Sequence, residues 1–306
     1  MNAVTTTIAP APVSAAPAQQ YRTVLAAAVT VVLWASAFVG IRMIGSTYSP
    51  GALAFGRIAV GALVLGVIAW RYGRLTLPTG RARWLVVAYG AVWFAAYTAV
   101  LNLAEHHLDA GTAALLVNVA PILVAVFAGV FFAEGFPRPL VVGIGIAFSG
   151  VVLIAAGGSG GGSVNETIGI WLGLLTALLY ASGVLMQKIV LRSVDAVTAT
   201  FFGCAAGALV LVPFAPQFVE QSLTASGGAM AGVVYLGVFP TAIAFSTWAY
   251  ALARTDAGRM TATTLTVPAI AILLSWAFLG ELPTVVGMIG GSLCLLGVAI
   301  SRRRPR

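Results

Sequence analysis

The chain of 306 residues carries sixteen Lys and Arg and eight Asp and Glu, and only Arg57 lies deep within an apolar run. Placing an arginine at the centre of a membrane helix costs about 2.5–3.5 kcal/mol on insertion scales, and its guanidinium stays charged. Such a cation could receive the carboxylate of a small molecule or hold a gating hydrogen bond. It could equally snorkel, or cap free carbonyls of a neighbouring helix. Pro121 and Pro268 also sit within apolar runs. Each removes a backbone donor and frees the carbonyl four residues back, at Val117 and Thr264. Asn118 lies one turn before Pro121, and Thr261 and Thr264 share the helical face of Pro268. Polar atoms beside a broken backbone suggest a lined cavity with the prolines as hinges, the bland reading being helix packing through small polar residues.

Aromatic side chains concentrate in the same regions. Trp34 and Tyr180 each stand two residues before a serine, Ser36 and Ser182, and Trp93 and Tyr97 share a helical face at i, i+4. Phe245, Trp248 and Tyr250 follow in a later run. Trp34, Ser36, Arg57, Trp93, Tyr97, Asn118, Tyr180, Ser182, Trp248 and Thr264 are the candidate binding residues. Trp70 and Trp84, at run ends, fit an interfacial belt. Two acids oppose the helix dipole at run ends, Glu134 and Glu281. Lys188 and Arg42 end other runs, which allows two pairs, Lys188 with Glu134 and Arg42 with Glu281, as alternating gates, or four plainly solvated groups.

Other chemistry finds little footing. Glu105, His106, His107 and Asp109 have ligand types for a metal but no tetrahedral spacing, so a solvated loop is expected. Cys204 and Cys294 lie in apolar runs and read as packing. The glycine-rich stretch 157–163 is not followed by Gly-Lys-Ser/Thr and is not a phosphate loop. No catalytic group, metal or cofactor is expected.

The elements that must position these residues are set by composition. The chain is 60% hydrophobic and 8% charged, with mean hydropathy +1.02, too apolar for a water-facing surface. Ten runs have the length of a bilayer span: 23–43, 50–70, 84–104, 110–133, 138–157, 168–188, 196–215, 229–252, 258–280 and 284–301. Continuous apolarity without two-residue alternation makes them helices rather than barrel strands. With the N-terminus inside, 14 basic residues fall in inner segments and Arg42 alone in an outer one, so both termini are expected in the cytoplasm. The net charge of +8 is thereby a topology signal and not a nucleic-acid footprint. Residues 1–21, rich in Ala, Pro and Thr, read as a disordered tail without a signal peptide's pattern.

The chain repeats itself. Thr30 to Ser36 matches Thr176 to Ser182, and Gly61 to Leu65 matches Gly207 to Leu211, at an offset of 146. Gly90 matches Gly237 at 147, and the pattern Gly-x9-Pro-x12-Glu occurs at Gly111, Pro121, Glu134 and again at Gly258, Pro268, Glu281. Five spans per half force opposite orientations, the inverted repeat that many secondary transporters use. Arg57 has no counterpart, since Gly203 stands at its equivalent position.

Trp34 to Phe38, Arg57 and the doubled Gly-x9-Pro-x12-Glu unit resemble the EamA-type branch of the drug/metabolite transporter superfamily, over nearly all of residues 22–302. The resemblance implies a ten-helix inverted-repeat carrier with a central cavity, exporting amino acids or other small metabolites and in some members drugs. The expectation is an all-α membrane protein organised as tail 1–21, first repeat 22–157, linker 158–167, second repeat 168–302 and basic tail 303–306. It would reside in a bacterial inner membrane as a monomer or homodimer, partnered by a small-molecule substrate and lipid, without nucleic acid. A multidrug or other metabolite facilitator is the alternative, and a non-transporting sensor or scaffold a more distant one.

Overall fold

In the computed structural model, residues 17–73, 76–131, 138–156, 164–255 and 257–301 are described. Glu134, Asp256 and most of the expected linker and tails lie outside them. Among the described residues the regular structure is all helical. The first half comprises α1 (Pro17–Ile44), α2 (Pro50–Arg71), α3 (Gly80–Tyr89), α4 (Tyr97–Ala104), α5 (Ala110–Val117), α6 (Ala120–Phe131) and α7 (Arg138–Ala156). The second comprises α8 (Val164–Val190), α9 (Ala196–Val210), α10 (Ala215–Thr224), α11 (Gly227–Leu236), α12 (Ala244–Leu252), α13 (Ala257–Thr263), α14 (Val267–Leu279) and α15 (Val285–Ser301).

These pieces assemble into ten apolar elements. Five are long enough to cross a bilayer unbroken: residues 18–44, 50–71, 80–104, 164–190 and 227–252. One is a bent pair, and four are shorter apolar helices. Leu63, Phe148, Trp171 and Phe278 are each more than 65% exposed. That girdle of large apolar side chains is what a bilayer, and not water, would cover.

Two of the long elements contain a π-helical turn at the same place in each half. Residues Gly90–Ala96 join α3 to α4, and Gly237–Ile243 join α11 to α12. The Tyr97 N–H donates to the Val92 carbonyl, and the Ala244 N–H to Phe239, both five residues back. The offset is 147 throughout. Such turns push one extra residue out of the helical register and recur at functional sites.

The breaks at the prolines are matched too. α5 ends at Val117 and α6 begins at Ala120. In the second half a 3₁₀ turn, Thr264–Thr266, separates α13 from α14. In both, the proline lies in the first turn of the following helix, where its missing N–H has no partner to lose. The expected seventh span differs from the structure. The apolar run expected as one span over 196–215 is bent: α9 ends at Val210, and the segment Val212–Thr224 leaves at 53°. Pro213 and Pro216 account for the bend, because neither can donate to the preceding turn.

Reciprocal contacts expose the two-fold relation. A Cβ on Gly150 would strike the Gly290 carbonyl and Cys294 amide, and one on Gly297 would strike the Gly143 carbonyl and Ala147 amide. Each of those residues is the other's counterpart at 147. A Cβ on Gly61 would meet Gly237 O, and one on Gly207 would meet Gly90 O. Glycine is required at these crossings because backbone lies directly against backbone. Cys204 Sγ donates to the carbonyl of Ile58, and Cys294 Sγ to that of Ala147, at 3.4 Å each. Both thiols are buried and free, so they pack on the pseudo-axis.

Candidate functional site

The aromatic residues of four separate spans converge. Trp34 of α1 lies 4.8 Å from Trp248, 5.3 Å from Phe245, 5.9 Å from Tyr180 and 6.3 Å from Trp93, centroid to centroid. Trp93 in turn contacts Tyr180 at 5.6 Å and Phe245 at 5.3 Å, and Tyr97 reaches Tyr180 at 6.2 Å. Most of these contacts are edge-to-face or tilted, the arrangement that ring quadrupoles favour. The π turn of the first half supplies Trp93, and the helix following each π turn supplies Tyr97 and Trp248.

A small cavity opens beside this cluster, between α1, α8 and the two broken helices. Trp34, Phe38, Tyr97, Asn118, Tyr180 and Thr264 line it, closed by Val117, Pro121 and Val267. Its volume is about 20 Å³, room for roughly one water. In this structure the cavity is therefore too small to hold a metabolite.

Several polar atoms around it are unsatisfied. The indole N–H groups of Trp34, Trp93 and Trp248 are buried without a partner, as is Asn118 Oδ1. Asn118 Nδ2 donates to the Ala114 carbonyl at 3.1 Å, so only its oxygen is left over. Each such group costs about 1–3 kcal/mol when dry. Of these residues only Trp34 and Asn118 line the cavity, so one donor and one acceptor stand at it, a pair that a polar ligand would complete.

Not every sequence candidate reaches this site. Ser36 points the other way, to the Tyr235 hydroxyl at 2.7 Å. Ser182 bonds back to the Leu178 carbonyl at 2.9 Å. Trp93 and Trp248 form the second layer of the wall, fully buried. Arg57 is 3% exposed and does not line the cavity. Its Nε donates to Thr241 Oγ1 at 3.5 Å, at the second π turn, and its Nη1 has no partner. Tyr97, which lines the cavity, is within electrostatic reach of Arg57. Phe38, one turn after Trp34 on the same face, was legible from spacing, whereas nothing in the sequence singled out Thr241.

At one end of the bundle Arg42 Nε meets Glu281 at 3.1 and 3.3 Å. Its Nη1 also donates to the Glu105 carbonyl at 3.2 Å. At the opposite end Lys188 Nζ donates to the Leu252 and Thr255 carbonyls at 2.7 and 2.6 Å. The expected partner Glu134 lies outside the described residues. The loop expected to be solvated is corrected at Glu105, which is 2% exposed with both carboxyl oxygens unpartnered. Burial pushes its carboxyl well above the usual range, against the pull of Arg57 and Arg42. His106, partly exposed beside it, is lowered by burial and by His107 and Arg42. Among the described residues no cluster of His, Cys, Asp and Glu could hold a metal.

With this geometry in view, the EamA-like transporter family matches the chain twice, over residues 21–156 and 167–303. The chain belongs to that family. A relative from Streptantibioticus cattleyicolor, named a probable terminal-alkyne amino-acid exporter, is 33% identical over 283 residues, 92% of this chain and 94% of its own. An uncharacterised transporter of Bacillus subtilis is 32% identical over 269 residues, 88% of this chain and 87% of its own. A solved crystal structure shares the fold with a TM-score of 0.66 at 20% identity, covering 92% of this chain and 96% of that one. This EamA family member is thus a multi-pass helical membrane protein of a transporter family, built as two repeats.

Proposed function

We propose that this EamA family member is a secondary carrier that exports amino acids or similarly small metabolites across a bacterial inner membrane. The observation that carries the reading is the small cavity between two helices broken at symmetric positions. A helix that stops and restarts at a binding cavity, in both halves of an inverted repeat, is the architecture of alternating access. The two unsatisfied groups on residues lining the cavity, the Trp34 indole and Asn118 Oδ1, fit a zwitterion. Indole N–H groups can only donate and suit a carboxylate, and Asn118 Oδ1 can only accept and suits an ammonium. The aromatic wall receives an apolar or unsaturated side chain. The amino-acid cargo in the name of the Streptantibioticus relative supports the same class.

Pro121 and Pro268 act as the hinges about which the halves rock. The Arg42–Glu281 pair closes the outer mouth, and Lys188 with Glu134 closes the inner one. The distribution of basic residues supports this orientation, with both termini in the cytoplasm. Arg57, buried and outside the cavity lining in this structure, receives the substrate carboxylate as the cavity widens.

Purified protein in liposomes, given a panel of labelled amino acids, tests the reading. Saturable flux that is lost in Trp34→Ala and Asn118→Ala is the expected result. A panel without flux, alongside flux of a cationic drug, would favour the multidrug reading instead.

A further inference from the structure

We infer that Glu105 is a proton-binding site of the outer gate, holding a proton while the gate is shut and releasing it to the outer solution when the gate opens. The inference rests on the reading of Arg42 and Glu281 as that gate.

The geometry is that of an acid sealed under a lid. Glu105 caps the end of α4, its backbone amide tied to the Leu101 carbonyl and its own carbonyl held by Arg42. Arg42 and Glu281, about one-third exposed, lie at the surface, and Glu105 is buried beneath the arginine it helps to anchor. Neither carboxyl oxygen has a hydrogen-bond donor, and among the described residues the ion pair within 4 Å at this end is Arg42 with Glu281. A carboxylate stripped of water, without a donor, is strongly disfavoured against the neutral acid. Arg42 from α1 and Arg57 from α2 favour the charged form, whereas Asp109 at the start of α5 and Glu281 beyond α14 oppose it. Tyr97, on the same helix, is within electrostatic reach. Burial dominates this balance.

Opening the gate changes the balance in one direction. Parting Arg42 from Glu281 admits water to Glu105, and its hydrated carboxyl returns toward the ordinary carboxylate range. The closed state thus binds the proton more tightly than the open state. By linkage, protonation stabilises the closed gate. That stabilisation is fully present below the ordinary carboxylate pKa and is lost as external pH rises through the raised closed-state value. The site also supplies a titratable acid directly beneath the proposed outer gate.

The test is a distance across the mouth as a function of pH. Spin labels at Ser46→Cys and Val285→Cys, both exposed positions, report the gap in nanodiscs by double electron–electron resonance between pH 5 and 9. The native thiols, Cys204 and Cys294, are fully buried and escape labelling. The closed-to-open ratio should fall with rising pH by up to about tenfold per unit, the limit for one proton. Glu105→Gln should stay closed and flat across the range, and Glu105→Asp, which keeps a titratable group, should recover a step. His106→Ala, which leaves the gate pair intact, should retain the step on a shifted baseline. A flat wild-type profile, an unchanged step in Glu105→Gln, or loss of the step in His106→Ala would overturn the inference. Arg42→Ala separates the two ideas. A longer distance at every pH upholds the gate, so a flat profile would then sink Glu105 alone. An unmoved distance would sink the gate and the inference together.

Discussion

The two halves agree in backbone and disagree in side chains. Where α2 crosses the second π turn, Arg57 reaches Thr241. Where α9 crosses the first π turn, Gly203 stands at the equivalent position and the Tyr89 ring covers it. Tyr89 instead accepts from Gln187 Nε2 at 2.7 Å. Both crossings use glycine against carbonyl, at Gly237 over Arg57 O and at Gly90 over Gly203 O. The fold thus demands symmetry of the notches, and the chemistry departs from it. The charge lies at the Arg42 end, and a neutral tyrosine–glutamine pair answers it at the other.

The aromatic wall breaks that comparison most severely, because its members are not repeat mates apart from Trp34 and Tyr180. Trp93 is fully buried, with Gly183 directly against its indole. Trp93→Ala should cost about 3–5 kcal/mol and show as a large fall in unfolding midpoint in detergent. Trp34, half-buried and facing the cavity, should lose less stability on truncation but as much transport. If both substitutions gave the same stability loss, the division into supporting layer and cavity wall would fail.

The notches come next. Gly90→Ala and Gly237→Ala each thrust a methyl into a facing backbone and should lose about 1–3 kcal/mol, in similar measure. Gly145→Ala, with nothing within 4 Å of its Cβ, should be neutral or slightly stabilising. Thermal melts of the three variants read this directly, and unequal losses at Gly90 and Gly237 would show the frame to be less symmetric than it looks.

Arg57 sharpens the asymmetry itself. Arg57→Ala should reduce carboxylate-substrate flux at least about tenfold, the equivalent of about 1.4 kcal/mol. Arg57→Lys should recover part of it, since a lysine keeps the charge but not the planar fork. Flux of a substrate amide should be indifferent to both. Loss of the amide flux too would mean that Arg57 holds the helices and not the cargo.

Much of the frame was legible because membrane burial writes it in long apolar runs and because the repeat prints each feature twice. Pro121 and Pro268 announced the broken helices through chemistry that acts on the local backbone alone. What remained hidden depends on distant contacts. The π turns repeat a glycine, at Gly90 and Gly237, and of the two only the second carries a further local signal, Pro240, which has no N–H to bond four residues back. The turn of Ser36 toward Tyr235, away from the cavity, follows from how α1 is rotated against α11. The bend after Val210 was present in Pro213 and Pro216 but was masked by an apolar run of spanning length. Glu105 looked like loop because its neighbours His106, His107 and Asp109 are polar, and its burial is created by Arg42, sixty-three residues earlier.

The gate pair carries the smallest expected effect on stability. Arg42 and Glu281 are 36% and 31% exposed, and a pair so open to solvent is worth only about 0–1 kcal/mol. Arg42→Ala should barely move the unfolding midpoint yet alter transport, because the pair bridges α1 to the end of α14 across the mouth. Reversing one charge, Arg42→Glu or Glu281→Arg, sets like charges together and should hold the mouth apart. Reversing both restores attraction. Rescue should nevertheless be incomplete, since a glutamate at position 42 cannot donate to the Glu105 carbonyl and brings a negative charge to a buried acid. Full rescue would mean that the pair acts alone, and no rescue would mean that the Arg42 bond to Glu105 matters more than the ion pair above it.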